Sequence, residues 1–316
     1  MKSPFHPQHK FQQSNTQYRG RFAPSPSGPL HFGSLLAALG SFLQAKSQNG
    51  LWFVRIEDID KPREVEGSVD LILDGLESFG LTWDQDLQTS DDVNYRHCLV
   101  QSSRIARYQQ IFEQLKQNNH LYTCHCTRKN IKKAGGIYLG ECRDKKHEFD
   151  DHAVRLKQDF SQGQFEDLLH GKVTVDSHLV NEDYIVKRTG GLFAYQLVVV
   201  IDDIDQGITE VVRGADIMEL TPRQINLFDL LGIKPPSYLH LPLVVSDDGK
   251  KLSKQNHAPA IDIDNPKPEL IKALTLLGLP TQSAPWLFSA DVAEIITWAI
   301  KHWNIKNIPT HLHLTI

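Results

Sequence analysis

The chain has no G-x-x-x-x-G-K-[ST] phosphate loop, no apolar run near the ~18 residues that span a bilayer, and only four cysteines in 316 residues. The first absence excludes the P-loop nucleotide folds, and the second excludes helical membrane proteins. The third excludes a disulfide-framed secreted domain. Three of the four cysteines fall between Cys124 and Cys142, which fits a reducing compartment and a metal site better than a set of cross-links. The first 17 residues are rich in Gln, His, Lys and Pro and lack the apolar core of a secretory signal. They read as a disordered extension, 1–17, on a cytoplasmic protein. Positive charge is also scarce overall: 34 Lys and Arg against 38 Asp and Glu give −4, so global electrostatics do not announce a nucleic acid. No internal repeat or low-complexity tract is present. With 40% hydrophobic residues over 316 positions, the chain can bury a large core and is expected to form more than one domain.

Leu51 to Ile56 is a run of strand formers ending at Glu57. Val69, Ile72, Leu73, Leu76 and Phe79 keep helical spacing, with Gly80 as a C-cap; Ile105, Tyr108, Ile111, Phe112 and Leu115 do the same. The continuous apolar run 197–201 reads as a buried parallel strand. Segments 269–277 and 291–303 read as helices. Strand and helix signals alternate on both sides of a middle stretch of different composition. This predicts a parallel α/β sheet whose halves, 18–120 and 185–256, are split by an insertion over 121–184, with a small helical region over 257–316.

Two motifs describe a nucleotide site without a P-loop. In R-F-A-P-S-P-S-G-P-L-H-F-G-S (21–34), Pro24, Pro26 and Pro29 stiffen a loop, while Gly28 and Gly33 permit tight turning and close backbone approach. His31 stands where an amphipathic run begins, and a helix N-terminus there offers unpaired N–H groups to an anion. In D-D-G-K-K-L-S-K-Q (247–255), Lys250, Lys251 and Lys254 flank Gly249 and Ser253, which reads as a mobile loop of point charges suited to a developing phosphate charge. Taken singly, His31 is an ordinary helix-start residue and Lys254 an exposed lysine; the surrounding motifs favour the functional reading.

These motifs resemble the paired signatures of class I aminoacyl-tRNA synthetases, with His31-Phe32-Gly33-Ser34 as the histidine–glycine tetrad and Lys251-Leu252-Ser253-Lys254-Gln255 as the lysine–serine loop. V-R-I-E-D-I-D (54–60), Q-S-S-R (101–104) and V-V-R-G-A-D (211–216) narrow the resemblance to the glutamyl branch. It runs from about Tyr18 to about Gln255. A full glutamyl-tRNA synthetase of this pattern would continue into a helical anticodon-binding region. Together with the Cys-rich insertion, the short remainder resembles the glutamyl-queuosine tRNA(Asp) synthetases, a family that activates glutamate and attaches it to queuosine in the tRNA(Asp) anticodon. The resemblance implies an α/β class I synthetase fold with a Rossmann-like parallel sheet, a zinc-containing insertion and no anticodon-binding domain. It implies L-glutamate, ATP with Mg²⁺ and queuosine-bearing tRNA(Asp) as partners; nothing requires a dimer, so a monomer is expected. The alternatives are a short glutamyl-tRNA synthetase charging the 3′ end of tRNA(Glu) and a non-catalytic tRNA-binding paralogue. Retention of His31, Gly33, Lys254 and both motif arginines argues against the latter.

Activation requires the glutamate α-carboxylate to attack the α-phosphate of ATP, so the enzyme's task is positioning and charge stabilisation. The resemblance assigns ATP to His31, Gly33, Lys251, Ser253 and Lys254, with His31 and Lys254 catalytic. The substrate's side-chain carboxylate calls for arginine, which gives bidentate recognition. By resemblance Arg21 and Arg213 sit there with the Tyr195 hydroxyl, Glu57 accepts the ammonium, and Phe22, Ala23, Pro24 and Ser25 line the pocket. The bland alternatives are a surface acidic pair for Glu57 and Asp58, half-buried core for Tyr195, and an ion pair of Arg213 with Asp216 or Glu210. Ser34 and Gln255 depart from the family pattern, leaving one imidazole for the phosphates.

Cys124, Cys126 and Cys142 can ligate one Zn²⁺, and tetrahedral coordination needs a fourth group. His125, Tyr138, His147 and His152 are within sequence reach; chemistry alone prefers a histidine, whereas the resemblance implies Tyr138. The metal would be structural. Cys98 stands apart as a buried thiol. Arg128, Lys129, Lys132, Lys133, Arg143, Lys145 and Lys146 face only Glu141 and Asp144 in the same stretch. That is a solvated basic face or a tRNA contact, and its adjacency to the cysteines favours contact.

Overall fold

Strand and helix alternate in the first half of the chain as the sequence periods require. The structure is a computed structural model that describes residues 17–86, 94–133, 135–159, 162–245 and 258–315. Strand β1 (Arg19–Phe22) leads through the proline-rich loop into α1 (Phe32–Lys46), whose Leu35, Leu36, Leu39 and Leu43 are buried. Strand β2 (Leu51–Ile56) returns parallel to β1, from Arg19 opposite Leu51 to Phe22 opposite Val54. Helix α2 (Ser68–Ser78) follows and stops at Gly80, which sits at φ 72°. A Cβ there would meet Val292 at 2.9 Å, so the glycine both turns the chain and admits a C-terminal helix. A short hairpin, β3 (Asn94–Tyr95) and β4 (Cys98–Val100), completes a sheet of order β1-β2-β4-β3, and α3 (Ile105–Gln117) closes the half.

The middle of the chain contains β5 (Leu121–Cys124), the basic helix α4 (Arg128–Lys133), β6 (Ala153–Leu156), the hairpin β7 (Gln164–Asp167) and β8 (Gly171–Thr174), helix α5 (Ser177–Asn181) and β9 (Ile185–Lys187). Strands β5, β6 and β9 form a separate antiparallel sheet. The β7–β8 hairpin leaves it to join the second half. There α6 (Tyr195–Asp205), β10 (Glu210–Gly214), α7 (Thr221–Leu230) and β11 (Ser237–Leu241) build a sheet of order β10-β11-β7-β8, parallel from β10 to β7. The Thr209 N–H donates to the Arg19 carbonyl at 2.9 Å and ties the two halves edge to edge. The chain ends in β12 (Leu243–Val245), α8 (Lys267–Leu276), α9 (Val292–His302) and β13 (His313–Thr315), which pairs with β12. Leu270, Leu274, Ile295 and Ala299 join the same core as α1 and α2.

The expectation for 197–201 is corrected: this run is the middle of helix α6, not a strand. A short continuous apolar run does not distinguish the two, because a helix buried on all sides is apolar all round. Gln196 to Asp203 are all buried, and Leu197 to Ile201 lie in the cluster that also holds Tyr108, Phe112 and Leu227. Residues 1–16, the bulk of the extension expected at the N-terminus, lie outside the described residues, as does the whole 247–255 motif. Among the described residues no helix is long and apolar enough to cross a membrane.

Candidate active site and metal centre

The 21–34 motif folds into one wall of a cleft of about 340 Å³. Phe22, Ala23, Pro24, Ser25, His31, Gly33 and Ser34 line one side, and Gly214, Asp216, Leu241, Pro242 and Leu243 the other. His31 is the N-cap of α1. Its Nδ1 accepts the Ser34 N–H at 3.3 Å, and the Ser34 hydroxyl accepts the His31 N–H at 2.8 Å. Capping and lining the cleft are therefore the same placement, not rival readings of His31. The serine at the last tetrad position also gains a physical role, since it completes a capping box. With Nδ1 accepting, Nε2 is the ring's donor. The first turn of α1 carries no acidic residue, so its N–H groups stay favourable to an anion.

Lys251, Ser253 and Lys254 lie outside the described residues. The segment that carries them leaves from Val244, which lines the cleft, and returns where Ala260 bridges His31 and the Ile261 N–H donates to Leu30 at 3.0 Å. The described residues on both flanks of that segment are thus at the cleft.

A smaller pocket meets the cleft at Ser25 and is lined also by Glu57, Gln101, Phe193 and Tyr195, with Arg63 and Arg188 bound to Asp60 beside it. Glu57 follows β2 directly. Its side chain is 8% exposed, and Oε1 makes no hydrogen bond, with the nearest cation, Arg55, at 3.5 Å. Burial pushes its carboxyl up to about 7, against the pull of Arg55 and Arg21. It is not half of a surface acidic pair. Asp58 is the structural one, accepting the Ser102 N–H at 2.8 Å and pairing with Lys61 at 2.7 Å. Tyr195 opens α6. Burial raises its hydroxyl pKa, and Arg213, Glu57, Arg21 and Asp203 act on it in that order. Of the residues expected around the glutamate substrate, Glu57 and Ser25 share this pocket with Tyr195, and Arg213 and Arg21 act electrostatically on its hydroxyl.

The two arginines differ in wiring. Arg21 is committed to Asp203 at 3.0 Å, an oxygen it shares with Arg55 at 2.8 Å. Arg213, in β10 and 6% exposed, donates from Nε to His240 Nε2 at 3.0 Å, from Nη1 to Gln224 at 2.8 Å and from Nη2 to Thr221 at 2.9 Å. None of these acceptors is a carboxylate. The ion pair with Asp216 or Glu210 is not formed; Glu210 instead accepts from Gln44 and Tyr18. Sequence reasoning missed Asp203, Thr221, Gln224 and His240. A signal existed for the first: Asp202 and Asp203 interrupt an apolar run, and buried acids require cations. Nothing in the local sequence marks the other three.

The Sγ atoms of Cys124, Cys126 and Cys142 lie within 4.8 Å of one another, with Cys126 and Cys142 at 3.6 Å. The Tyr138 hydroxyl accepts the Cys142 N–H at 2.9 Å, and its ring is buried in one cluster with Cys124 and Cys142. Burial opposes the Cys124 thiolate, but the Cys126 N–H, Arg155 and Tyr138 prevail and hold its pKa below the usual thiol value. A stabilised thiolate is the form that binds a metal. His125 stacks between His147 and His152, each pair at 3.9 Å, and groups with Asp150 rather than with the thiols. Of the four sequence candidates, Tyr138 is the one packed with the cysteines in a single buried cluster. Nearby, Arg143 is tied to Asp159 and Asp183, while the other six basic residues of 128–146 are exposed.

A family model described as tRNA synthetases class I (E and Q), catalytic domain, matches residues 17–308. A protein of Vibrio parahaemolyticus named glutamyl-Q tRNA(Asp) synthetase is 50% identical over 299 residues, covering 95% of this chain and 97% of its own. Proteins of the same name from Photobacterium profundum and Escherichia coli O6:H1 are 50% and 49% identical, covering 95% and 94% of this chain and 92% of each of theirs. The crystal structure of a glutamate-tRNA synthetase from Elizabethkingia anophelis has the same fold, with a TM-score of 0.76 at 23% identity, over 93% of this chain and 67% of that one.

Proposed function

We propose a function from one premise: this chain belongs to the class I synthetase family for glutamate and glutamine, within its glutamyl-Q tRNA(Asp) synthetase branch. It uses ATP and Mg²⁺ to convert L-glutamate to glutamyl-adenylate without tRNA, then transfers the glutamyl group to queuosine in the tRNA(Asp) anticodon. One observation carries the substrate assignment. Around Tyr195 stand a buried carboxylate oxygen with no hydrogen bond, on Glu57, and a buried guanidinium with only neutral partners, Arg213. An amino acid with an ammonium and a side-chain carboxylate supplies both missing charges.

The residues divide the chemistry accordingly. Glu57 holds the ammonium, and Arg213, with Arg21 and Tyr195, holds the γ-carboxylate. Phe22, Ala23, Pro24 and Ser25 line the cleft, and Ser25 also lines the smaller pocket, so the α-carboxylate is presented to the nucleotide there. An α-carboxylate oxygen attacks the α-phosphorus, and pyrophosphate leaves. His31 Nε2–H and the N-terminus of α1 at Gly33 stabilise the phosphates, and Lys251, Ser253 and Lys254 close on them as charge builds. A nucleophile of queuosine then takes the acyl group, and AMP leaves. The donor set of three thiols and a phenol, one thiol already biased to its thiolate, fits a zinc ion held by Cys124, Cys126, Cys142 and Tyr138. Its role is structural, because these residues are distinct from those lining the cleft.

The test supplies enzyme, ATP and labelled glutamate with tRNA(Asp) bearing or lacking queuosine, then with a queuosine-bearing anticodon stem-loop blocked at its 3′ end. Label on the blocked fragment, dependent on queuosine, supports the assignment. Label only on full-length tRNA with a free 3′ end favours a short glutamyl-tRNA synthetase instead.

A further inference from the structure

We propose that Asp167 and His240 are positioning residues that set amino-acid specificity: the dyad fixes Arg213 through a neutral imidazole and thereby leaves its positive charge for the substrate. The inference rests on Arg213 holding the substrate's side-chain carboxylate.

Both dyad side chains are completely buried, on β7 and β11, which lie side by side. The Asp167 carboxylate is saturated with donors. Oδ1 accepts the Leu169 and His170 N–H groups, each at 3.0 Å, and Oδ2 accepts the His240 N–H at 3.1 Å. His240 Nδ1 lies 2.7 Å from the same Oδ2. A carboxylate so placed only accepts, so Nδ1 carries the ring proton. On the far side of the ring, Nε2 faces Arg213 Nε at 3.0 Å. Arginine only donates, so Nε2 must present its lone pair. The two ends together fix a neutral Nδ1–H tautomer; an imidazolium would set two donors head to head. The lowering of the His240 pKa to about 4, chiefly by burial and also by Arg213, agrees with this.

The contrast with Arg21 gives the arrangement its meaning. Arg21 meets a carboxylate directly, one that it shares with Arg55. Arg213 is oriented as firmly, by three bonds, yet the nearest acid in that chain of contacts stands behind an imidazole. Geometry is fixed without neutralising the cation. Two more buried polar atoms beside Arg213 lack a protein partner: Gln224 Nε2, on the amide that accepts Nη1, and the Tyr238 hydroxyl, whose ring stacks 5.3 Å from the guanidinium. A carboxylate seated there would satisfy donors as well as charge. An uncharged side chain would leave the guanidinium without its anion, which is the basis for rejecting glutamine.

The experiment reads the tautomer and the selectivity separately. In ¹⁵N-histidine NMR of the whole chain, His240 should be neutral and Nδ1-protonated from pH 5 to 8. In Asp167→Asn the two backbone donors at the Oδ1 position keep the amide oxygen, so the amide N–H takes the Oδ2 position, faces the His240 N–H and Nδ1, and drives the ring proton to Nε2, against Arg213. That variant should raise KM for glutamate roughly 10- to 100-fold, shrink the glutamate-over-glutamine preference in pyrophosphate exchange, and leave KM for ATP in place. His240→Gln can donate to Asp167 and accept from Arg213, so it should retain most of the preference; it also carries the test if Asp167→Asn does not fold. A charged or Nε2-protonated His240 in the native enzyme overturns the proposal. So does an inverted tautomer with unchanged glutamate KM and selectivity, provided Arg213→Ala impairs both. If Arg213→Ala impairs neither, the placement of Arg213 has failed, and the proposal fails with it.

Discussion

Replacing Glu57 by glutamine should make the protein more stable and far less active, through the same atom. In the folded chain the carboxyl is buried beside Arg55 and Arg21, and its pKa is about 7 against an ordinary 4.5. Below pH 4.5 both folded and unfolded forms are protonated, and the residue is neutral toward stability. Between 4.5 and 7 the unfolded chain ionises while the folded one does not, so stability falls as pH rises. The full difference is worth roughly 3 kcal/mol above pH 7. Glutamine does not titrate, so Glu57→Gln should gain up to about that much at pH 8 relative to wild type and almost nothing at pH 4. Denaturant unfolding at the two pH values measures it. The catalytic consequence has the opposite sign. Glutamate's ammonium needs the ionised carboxylate, so wild-type kcat/KM for glutamate should climb about tenfold per pH unit below 7 and level off above it. The variant should be low and flat across that range. A stability difference that does not change between pH 4 and 8, together with a pH-independent wild-type profile, would refute a strained, charge-seeking Glu57.

Lys254→Ala should lower kcat for pyrophosphate exchange far more than it raises KM for ATP, because the lysine acts as phosphate charge develops; unchanged kcat removes the assignment. Arg213→Ala should abolish the rejection of glutamine, a discrimination of about 2–4 kcal/mol, as seen by comparing exchange with the two amino acids. Metal analysis should find about one zinc per chain, lost in Cys126→Ser and weakened less in Tyr138→Phe; zinc-free protein purified without chelator would remove the site. Lys132→Glu with Lys133→Glu should impair transfer to tRNA and make its salt dependence shallower, while exchange without tRNA continues.

The motifs at 21–34 and 54–60 could be read in advance because their physics is local. Proline-stiffened turns, a helix start and a strand ending in an acid are all written in adjacent residues, and the structure places them along the cleft and the side pocket that meets it at Ser25. The amphipathic helices α2, α3, α8 and α9 were equally legible, since each keeps a polar face. Helix α6 was not, because burial on every side removes the period that distinguishes it from a strand. The wiring of the arginines was invisible for a different reason. Asp203 is 182 residues from Arg21, and His240 is 27 from Arg213 and 73 from Asp167. Those pairings depend on which strands lie side by side, and no local pattern encodes that.

The acids of α6 serve cations drawn from the opposite half of the chain: Arg21 and Arg55 meet Asp203, and Arg104 meets Asp202 and Asp205. On the ribosome, Arg55 is made 148 residues before Asp203. At about 5–20 residues per second, the emerging first sheet waits roughly seven to thirty seconds for its counter-charges. A nascent chain stalled within the 121–184 stretch would thus hold arginines that cannot yet be buried. The N-terminal half should remain a client of chaperones until α6 emerges, and a fragment ending before residue 195 should not acquire the native sheet. By this order of synthesis α6, rather than the longer α1, should be the step that commits the chain to its fold.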